Sequence, residues 1–199
     1  DLFMASKTET RRAELREKLI DIAEHTIATE GLSALRARDL AAKAGCAVGA
    51  IYNVFGDLTE LALAVNARTF HRLGEAVIAD LENAPEDNLE RLVVMGLAYH
   101  RFAANNYLSW SAIFGVERPS GQAAPDWYIA EMEKLFGHII GPLTQMFPDE
   151  SLENRILLTR ALFSSVHGIV VLGLDEARIS VPEGDIERMI NLVLRQLTA

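Results

Sequence analysis

The sequence predicts an all-α fold, and three observations carry that prediction. Apolar residues recur three and four positions apart along most of the chain, which is the period of one helical face and not the alternation of a strand. Break signals, among them Gly31, Gly45, Asn83-Ala84-Pro85 and Pro148, stand between those stretches. Half of the 199 residues are hydrophobic, enough to bury one substantial core or a small domain on a larger one, and too many for a disordered chain. No repeat or low-complexity tract interrupts the pattern.

Each element follows from its own residues. The first helix leaves a basic stretch holding Lys7, Arg11, Arg12, Arg16 and Lys18 and carries Leu15, Leu19, Ile22, Ala23 and Ile27 on one stripe. Asp1, Leu2 and Phe3 precede Met4, a candidate initiator, and are set outside this argument. Gly31 ends the helix, with Leu32 folding back on Ile27. Two short helices are expected next, between Arg36 and Leu61. Leu40 and Ala44 share one face of the first, where Ala41 is small enough for a second helix to cross closely. Gly45 stops it, because the reversal needs a left-handed residue and glycine adopts that conformation without a β-carbon penalty. Cys46, Ile51 and Phe55 recur inward on the second. Asp57 and Glu60 resemble a capping box opening a long helix to about Asn83, with Leu58, Leu61, Val65, Leu73, Val77 and Leu81 along one side. After the break at Pro85, a helix from Leu89 to about Asn105 buries Leu92, Val93, Leu97 and Phe102. A short aromatic helix spans Tyr107 to Val116, and Glu117 to Ala124 form a loop. A helix from Pro125 or Asp126 to about Met146 should kink at Gly141-Pro142. The last two helices run from Ser151 to Leu174 and from Pro182 to Leu197.

An alanine, a glycine four residues later and an apolar residue six beyond that, here Ala41, Gly45 and Ile51, are what a DNA-binding helix-turn-helix needs. Helical hairpins with a glycine turn also serve as plain packing units. The flanks extend the pattern: an amphipathic helix, Glu30-Gly31, Arg38-Asp39-Leu40-Ala41, Ala44-Gly45, Gly49-Ala50-Ile51-Tyr52, Phe55, then a long helix opened by Glu60. From Leu19 to Leu61 this order resembles the start of a TetR-family (tetracycline-repressor-like) transcriptional regulator. Phe163 to Leu174, with Val166-His167-Gly168, resembles the C-terminal domain of one subgroup of that family. The resemblance implies a three-helix DNA-binding domain over residues 1–56, and a larger helical ligand-binding and dimerisation domain over 57–199.

The chain also departs from the family pattern. The reading helix usually opens with serine and a basic residue, carries threonine after the glycine and histidine or a similar group after the tyrosine; here Ala47, Val48, Ala50 and Asn53 stand there. Leu35 replaces a usual threonine and Leu58 a usual lysine. Fewer phosphate contacts mean weaker binding with a flatter salt dependence. The contacts that remain are Tyr52 to a phosphate, Asn53 as a bidentate reader of adenine, Val48 and Ala50 against thymine methyl groups, and Arg36, Arg38 and Lys43 to the backbone. The basic stretch ahead of Leu15, interleaved with Glu9, Glu14 and Glu17, is either a phosphate contact or a solvated helix start.

In the second domain Tyr99, His100, Phe102, Trp110, Phe114, Trp127 and Met132 are the expected lining of a small-molecule pocket, most such side chains being core in any case. Phe163, Val166, His167, Val170, Ile186, Ile190 and Val193 are the expected dimer interface, two helices from each subunit. His167 also reads as a core histidine bonded to neighbouring backbone. Lys and Arg balance Asp and Glu at eight each up to residue 56, whereas eleven face twenty beyond it, so the net charge of −9 lies away from the reading helix. Such acidity mainly serves solubility. A single cysteine excludes an internal disulfide and fits a reducing cytoplasm. No apolar run precedes Leu15 as a signal peptide would, and Ala161 to Leu174 is too short to span a bilayer. Nucleophile, phosphate-loop and metal-ligand motifs are missing, so no catalytic residue, cofactor or metal is expected. These readings converge on a ligand-responsive DNA-binding regulator, a repressor released from a palindromic operator by a small apolar or aromatic molecule. The alternative is a small-molecule-binding helical dimer acting through protein partners without specific DNA binding.

Overall fold

The computed structural model describes residues 2–118, 123–175 and 181–198. Among them the regular structure is wholly helical: α1 (Leu2–Glu30), a 3₁₀ turn (Leu32–Ala34), α2 (Ala37–Ala44), α3 (Val48–Val54), α4 (Leu58–Leu81), α5 (Asn88–Asn105), α6 (Tyr107–Gly115), α7 (Asp126–Met146), α8 (Leu152–Leu174), a second 3₁₀ turn (Glu183–Asp185) and α9 (Ile186–Leu197). Pro119, Ser120 and Gly121 of the expected loop lie outside the described residues. Helix α1 starts earlier than its apolar stripe and takes in Leu2 and Phe3.

The chain forms two compact units, Asp1–Thr69 with Asn106–Tyr128, and Phe70–Asn105 with Ile129–Ala199. This departs from the break expected at residue 56, for a packing reason. Leu61, Ala64 and Val65 on the first half of α4, and Ala112 on α6, belong to the same buried cluster as Leu19, Ala23, Ile27, Leu40, Ile51 and Phe55. Asn66, fully buried on α4, donates its side-chain amide to the carbonyl of Ala112 at 3.1 Å. Gly31 (φ 86°) turns the chain out of α1, and its N–H bonds the carbonyl of Ile27 at 3.0 Å. The start of α4 is capped as expected, Glu60 N–H donating to Asp57 Oδ1 at 2.8 Å. Glu60 reaches back one residue further than a capping box does and accepts from Gly56 N–H at 2.7 Å.

In the second unit α9 packs against α5 and α8. Two glycines let it come close. A β-carbon at Gly96 of α5 would lie 2.8 Å from Ile190 Cγ2, and one at Gly173 of α8 would lie 2.5 Å from Ile186 Cδ1. Ser151 caps α8 by accepting from Asn154 N–H at 3.1 Å. Helix α7 continues through Pro142 as one element, with Leu143 fully buried. The apolar run from Ala161 forms the second half of the 23-residue α8. By length and composition alone, the whole helix Leu152–Leu174 is long and apolar enough to cross a membrane. Thr159, Leu162, Val166 and Val170 are its buried positions.

Candidate nucleic-acid interface and effector region

The turn between α2 and α3 is fixed by backbone geometry. Gly45 sits at φ 70°, ψ 37°, in the left-handed region. Cys46 N–H bonds the carbonyl of Ala41 at 3.0 Å and Gly45 N–H that of Ala42 at 3.3 Å, the paired bonds of a Schellman motif. Cys46 therefore lies in the turn, half-buried against the core, and not on α3 as its inward position suggested. Ile51 and Phe55 are buried and hold α3 to the cluster. The opposite side of α3 is open: Val48 is 38% and Tyr52 48% exposed, and Gly49 and Asn53 are exposed with them. Val48, Tyr52 and Asn53 share that face at a spacing of four and one, while Ala50 is half-covered.

Neither short helix has a side-chain cap. Arg36 before α2 and Ala47 before α3 make no capping bond; at Ala47 this is the local consequence of replacing the usual serine. Arg36, Arg38 and Lys43 are exposed. Arg36 and Lys43 line a shallow cleft of about 230 Å³ with Thr26, Glu30, Asp39 and Leu40, and Lys43 Nζ donates to Thr26 Oγ1 at 3.4 Å.

Two contacts that fix the reading unit were not expected from the sequence. The guanidinium of Arg16 lies 5.3 Å above the Phe55 ring, at the C-terminal end of α3. Arg68 of α4 donates to Asp21 at 2.7 Å, to Glu17 at 2.8 Å and to Glu24 at 2.9 Å, all on α1. Burial opposes the Arg68 charge, but the hydrogen bonds to Asp21, Glu24 and Glu17 outweigh it and raise the guanidinium above its ordinary pKa. Glu17, Asp21 and Glu24 stand four and three apart, a readable face; which cation would meet it was not readable.

The aromatic residues expected to line one pocket divide between the units. Trp110, Phe114 and Trp127 belong to the first, where Trp110 is buried and its ring lies 5.6 Å from that of Phe114. Burial pushes the Tyr128 phenol there up in pKa, against a hydrogen bond from Asn66 and the charge of Arg118. Tyr99, His100, Phe102 and Met132 belong to the second unit. His100 Nδ1 stands 3.9 Å from Glu187 Oε1.

An aromatic group in the second unit joins three helices. The hydroxyl of Tyr99 on α5 lies 2.7 Å from Nδ1 of His167 on α8. Phe163 stacks on His167 with ring centroids 5.5 Å apart and meets Phe136 of α7 edge-on at 5.1 Å. Burial lowers the His167 pKa, which favours the neutral ring. The histidine is thus bonded to a side chain on another helix.

The residues expected at a dimer interface take part in the same packing. Val166, Val170, Ile186 and Ile190 are buried within the single chain, and Phe163 and His167 are half-buried in the aromatic group. The apolar stripe of α9 is spent on α5 and α8. Of the seven only Val193, half-buried, lacks such a role here. The large apolar side chains left exposed on these helices are Leu152, Ile156, Leu157, Leu192 and Leu197.

Several solved structures have this fold. A TetR transcriptional regulator from Rhodococcus sp. RHA1 is 19% identical, with 95% of this chain and 97% of that one covered at a TM-score of 0.64. RolR in complex with resorcinol is 19% identical over 96% of each chain, TM-score 0.68. The transcriptional regulator FadR from Bacillus subtilis in complex with stearoyl-CoA is 17% identical over 92% and 97%, TM-score 0.65. Among curated proteins none matches this chain. Residues 19–65 match the family described as bacterial regulatory proteins, tetR family, and residues 92–197 the tetracyclin repressor-like C-terminal domain. With the second match alone covering more than half of its length, and the first falling on the helices that form the open reading face, this chain belongs to the TetR family of transcriptional regulators.

Proposed function

We propose that this regulator is a cytoplasmic homodimeric repressor, released from a palindromic operator by a small apolar or aromatic molecule. The observation that carries the reading is the open face of α3, where Val48, Tyr52 and Asn53 stand outward while Ile51 and Phe55 hold the helix from behind. A helix so presented fits a major groove, with Asn53 able to pair with adenine and Val48 to meet a thymine methyl. Arg36, Arg38 and Lys43 are the candidate backbone contacts. A palindrome needs two such helices related by a two-fold axis. The outer face of α8 supports a partner copy there: Leu157, Ala161 and Ser164 are exposed at helical spacing, and a β-carbon on Gly168, next along the same line, would meet nothing within 4 Å.

The effector reading rests on the aromatic group of Tyr99, Phe136, Phe163 and His167, and on the two relatives of this fold that hold resorcinol and stearoyl-CoA. A ligand acts only through its differential affinity for two arrangements, and a tenfold loss of DNA affinity takes about 1.4 kcal/mol of coupling. Operator DNA must then weaken ligand binding by the same factor. The test is a gel shift on DNA from upstream of the protein's own coding sequence, across a salt series and with a panel of small phenols and acyl compounds. Saturable, salt-sensitive binding that one compound class weakens is the expected result. Binding no tighter than to random DNA would remove the repressor and leave the helical dimer that acts through protein partners.

A further inference from the structure

We infer that the N-terminal extension of α1 is a second DNA contact, a helical arm whose Arg11 and Arg12 hold phosphates flanking the half-site. The inference rests on the DNA-binding reading and extends it beyond the helix-turn-helix.

Helix α1 begins at Leu2, and from residue 7 onward its first side chains in the core cluster are Leu15 and Leu19. Residues 7–14 are all exposed, so roughly 12 Å of helix ahead of Leu15 lies outside the core at 1.5 Å per residue. An isolated helix of that length is marginal in water, because nucleation is costly and no packing repays it. A charged partner would supply the missing stabilisation.

The side chains indicate which partner. Along the stripe that packs inward, Leu15, Leu19 and Ala23 follow one another at a spacing of four. One turn before Leu15, that stripe becomes Arg11 and Arg12. The apolar line turns basic where cover ends. Arg16, four residues after Arg12 on the same side of the helix, lies over Phe55, which ends α3 only two residues after the exposed Asn53. The arm therefore leaves the domain beside the end of the reading helix.

Its charges are also uncommitted. Arg16 pairs with Glu17, and Arg68 with three acids of α1, but no ion pair ties Arg11, Arg12 or Lys7 to an acid among the described residues. Glu9 and Glu14 are the acids of the exposed stretch, and neither is paired with them. Two guanidiniums one turn ahead of the core, next to a DNA-reading helix, suit phosphate oxygens, which arginine binds through parallel N–H donors. Such contacts position the protein and carry no sequence information.

The experiment compares the wild-type protein with Arg11→Gln/Arg12→Gln and with Lys134→Gln/Arg188→Gln, which removes the same charge from exposed positions in the second unit. Affinity is measured across a salt series on the upstream duplex and on a random one. Each phosphate contact contributes roughly 0.9 to the slope of log affinity against log salt, and a dimer carries two arms, so the arm variant should lose about 3.6 on both duplexes while the control keeps its slope. Circular dichroism checks that all three proteins are folded. An arm variant with the wild-type slope, or a control that loses as much, overturns the inference while leaving the reading helix intact. A wild-type protein that binds neither duplex removes the DNA reading itself, and the arm with it.

Discussion

Arg68 reaches from α4 to Asp21 of α1 at 2.7 Å, and the same guanidinium holds Glu17 and Glu24, one on either side of Asp21 along the helix. One cation thus serves three carboxylates, and its removal leaves them facing one another. Partly exposed pairs contribute about 0.2 to 1 kcal/mol each, so Arg68→Ala should cost about 1 to 2 kcal/mol, read from urea unfolding. Arg68→Lys, which offers a point charge in place of a planar fork, should recover only part of the loss. A variant with the wild-type midpoint would show that the pairs contribute nothing.

Ala47 offers α3 no cap. Ala47→Ser supplies a hydroxyl where the backbone is already extended (φ −72°, ψ 148°), and should add about 1 kcal/mol of stability. The same substitution should tighten DNA binding, since it steadies the start of the reading helix. Unchanged chemical denaturation would mean that water already satisfies those N–H groups equally well.

Gly96 and Gly137 make opposite predictions. Gly96→Ala drives a methyl against Ile190 and should destabilise by about 1 to 3 kcal/mol. Gly137→Ala, inside α7, meets open space within the chain, and the gain in helix propensity should leave stability equal or higher by up to about 1 kcal/mol. Matching losses in thermal unfolding would contradict the packing described for α5 and α9.

Ala161→Arg tests the proposed partner copy without touching the core, because Ala161 is exposed. The expected result is a folded monomer by light scattering, with operator affinity lost. If the variant is as dimeric as the wild type, the outer face of α8 is not the seam.

The lowered pKa of His167 carries a pH dependence of definite sign. Above the ordinary histidine value of about 6.5, the ring is neutral folded or unfolded and nothing is lost. As the pH falls below it, the unfolded chain takes up the proton first, so stability drops until the folded-state value is passed. His167→Gln should therefore show a smaller fall in stability than wild type between about pH 7.5 and about pH 5.5. Parallel pH curves for the two proteins would show that burial does not penalise the imidazolium.

What could be read from the sequence was local. Ala41, Gly45 and Ile51 announce the helix-turn-helix because the turn needs a left-handed residue at one place and small or apolar contacts at fixed offsets from it. The helix ends at Gly31, Asp57 and Ser151 were legible for the same reason. Long-range pairings were not. Tyr99 and His167 meet across 68 positions, and nothing in either neighbourhood names the other. Ile186 and Ile190 look like an interface stripe whether they meet a second chain or this one. The hint that decided it was Gly96 and Gly173, small residues on the two helices α9 packs against. The return of residues 106–128 to the first unit was equally hidden, since α6 has apolar residues enough for either core.

Helix α3 is seven residues long, just under two turns, and it is tied at both ends. The Schellman bonds to Ala41 and Ala42 set where it begins; Phe55, buried and covered by Arg16, sets where it stops. A piece that short, fixed at entry and exit, has no hinge of its own. Tuning of DNA affinity then has two routes, exchange of its outward side chains or transport of the whole reading unit, and remodelling of the helix is not a third.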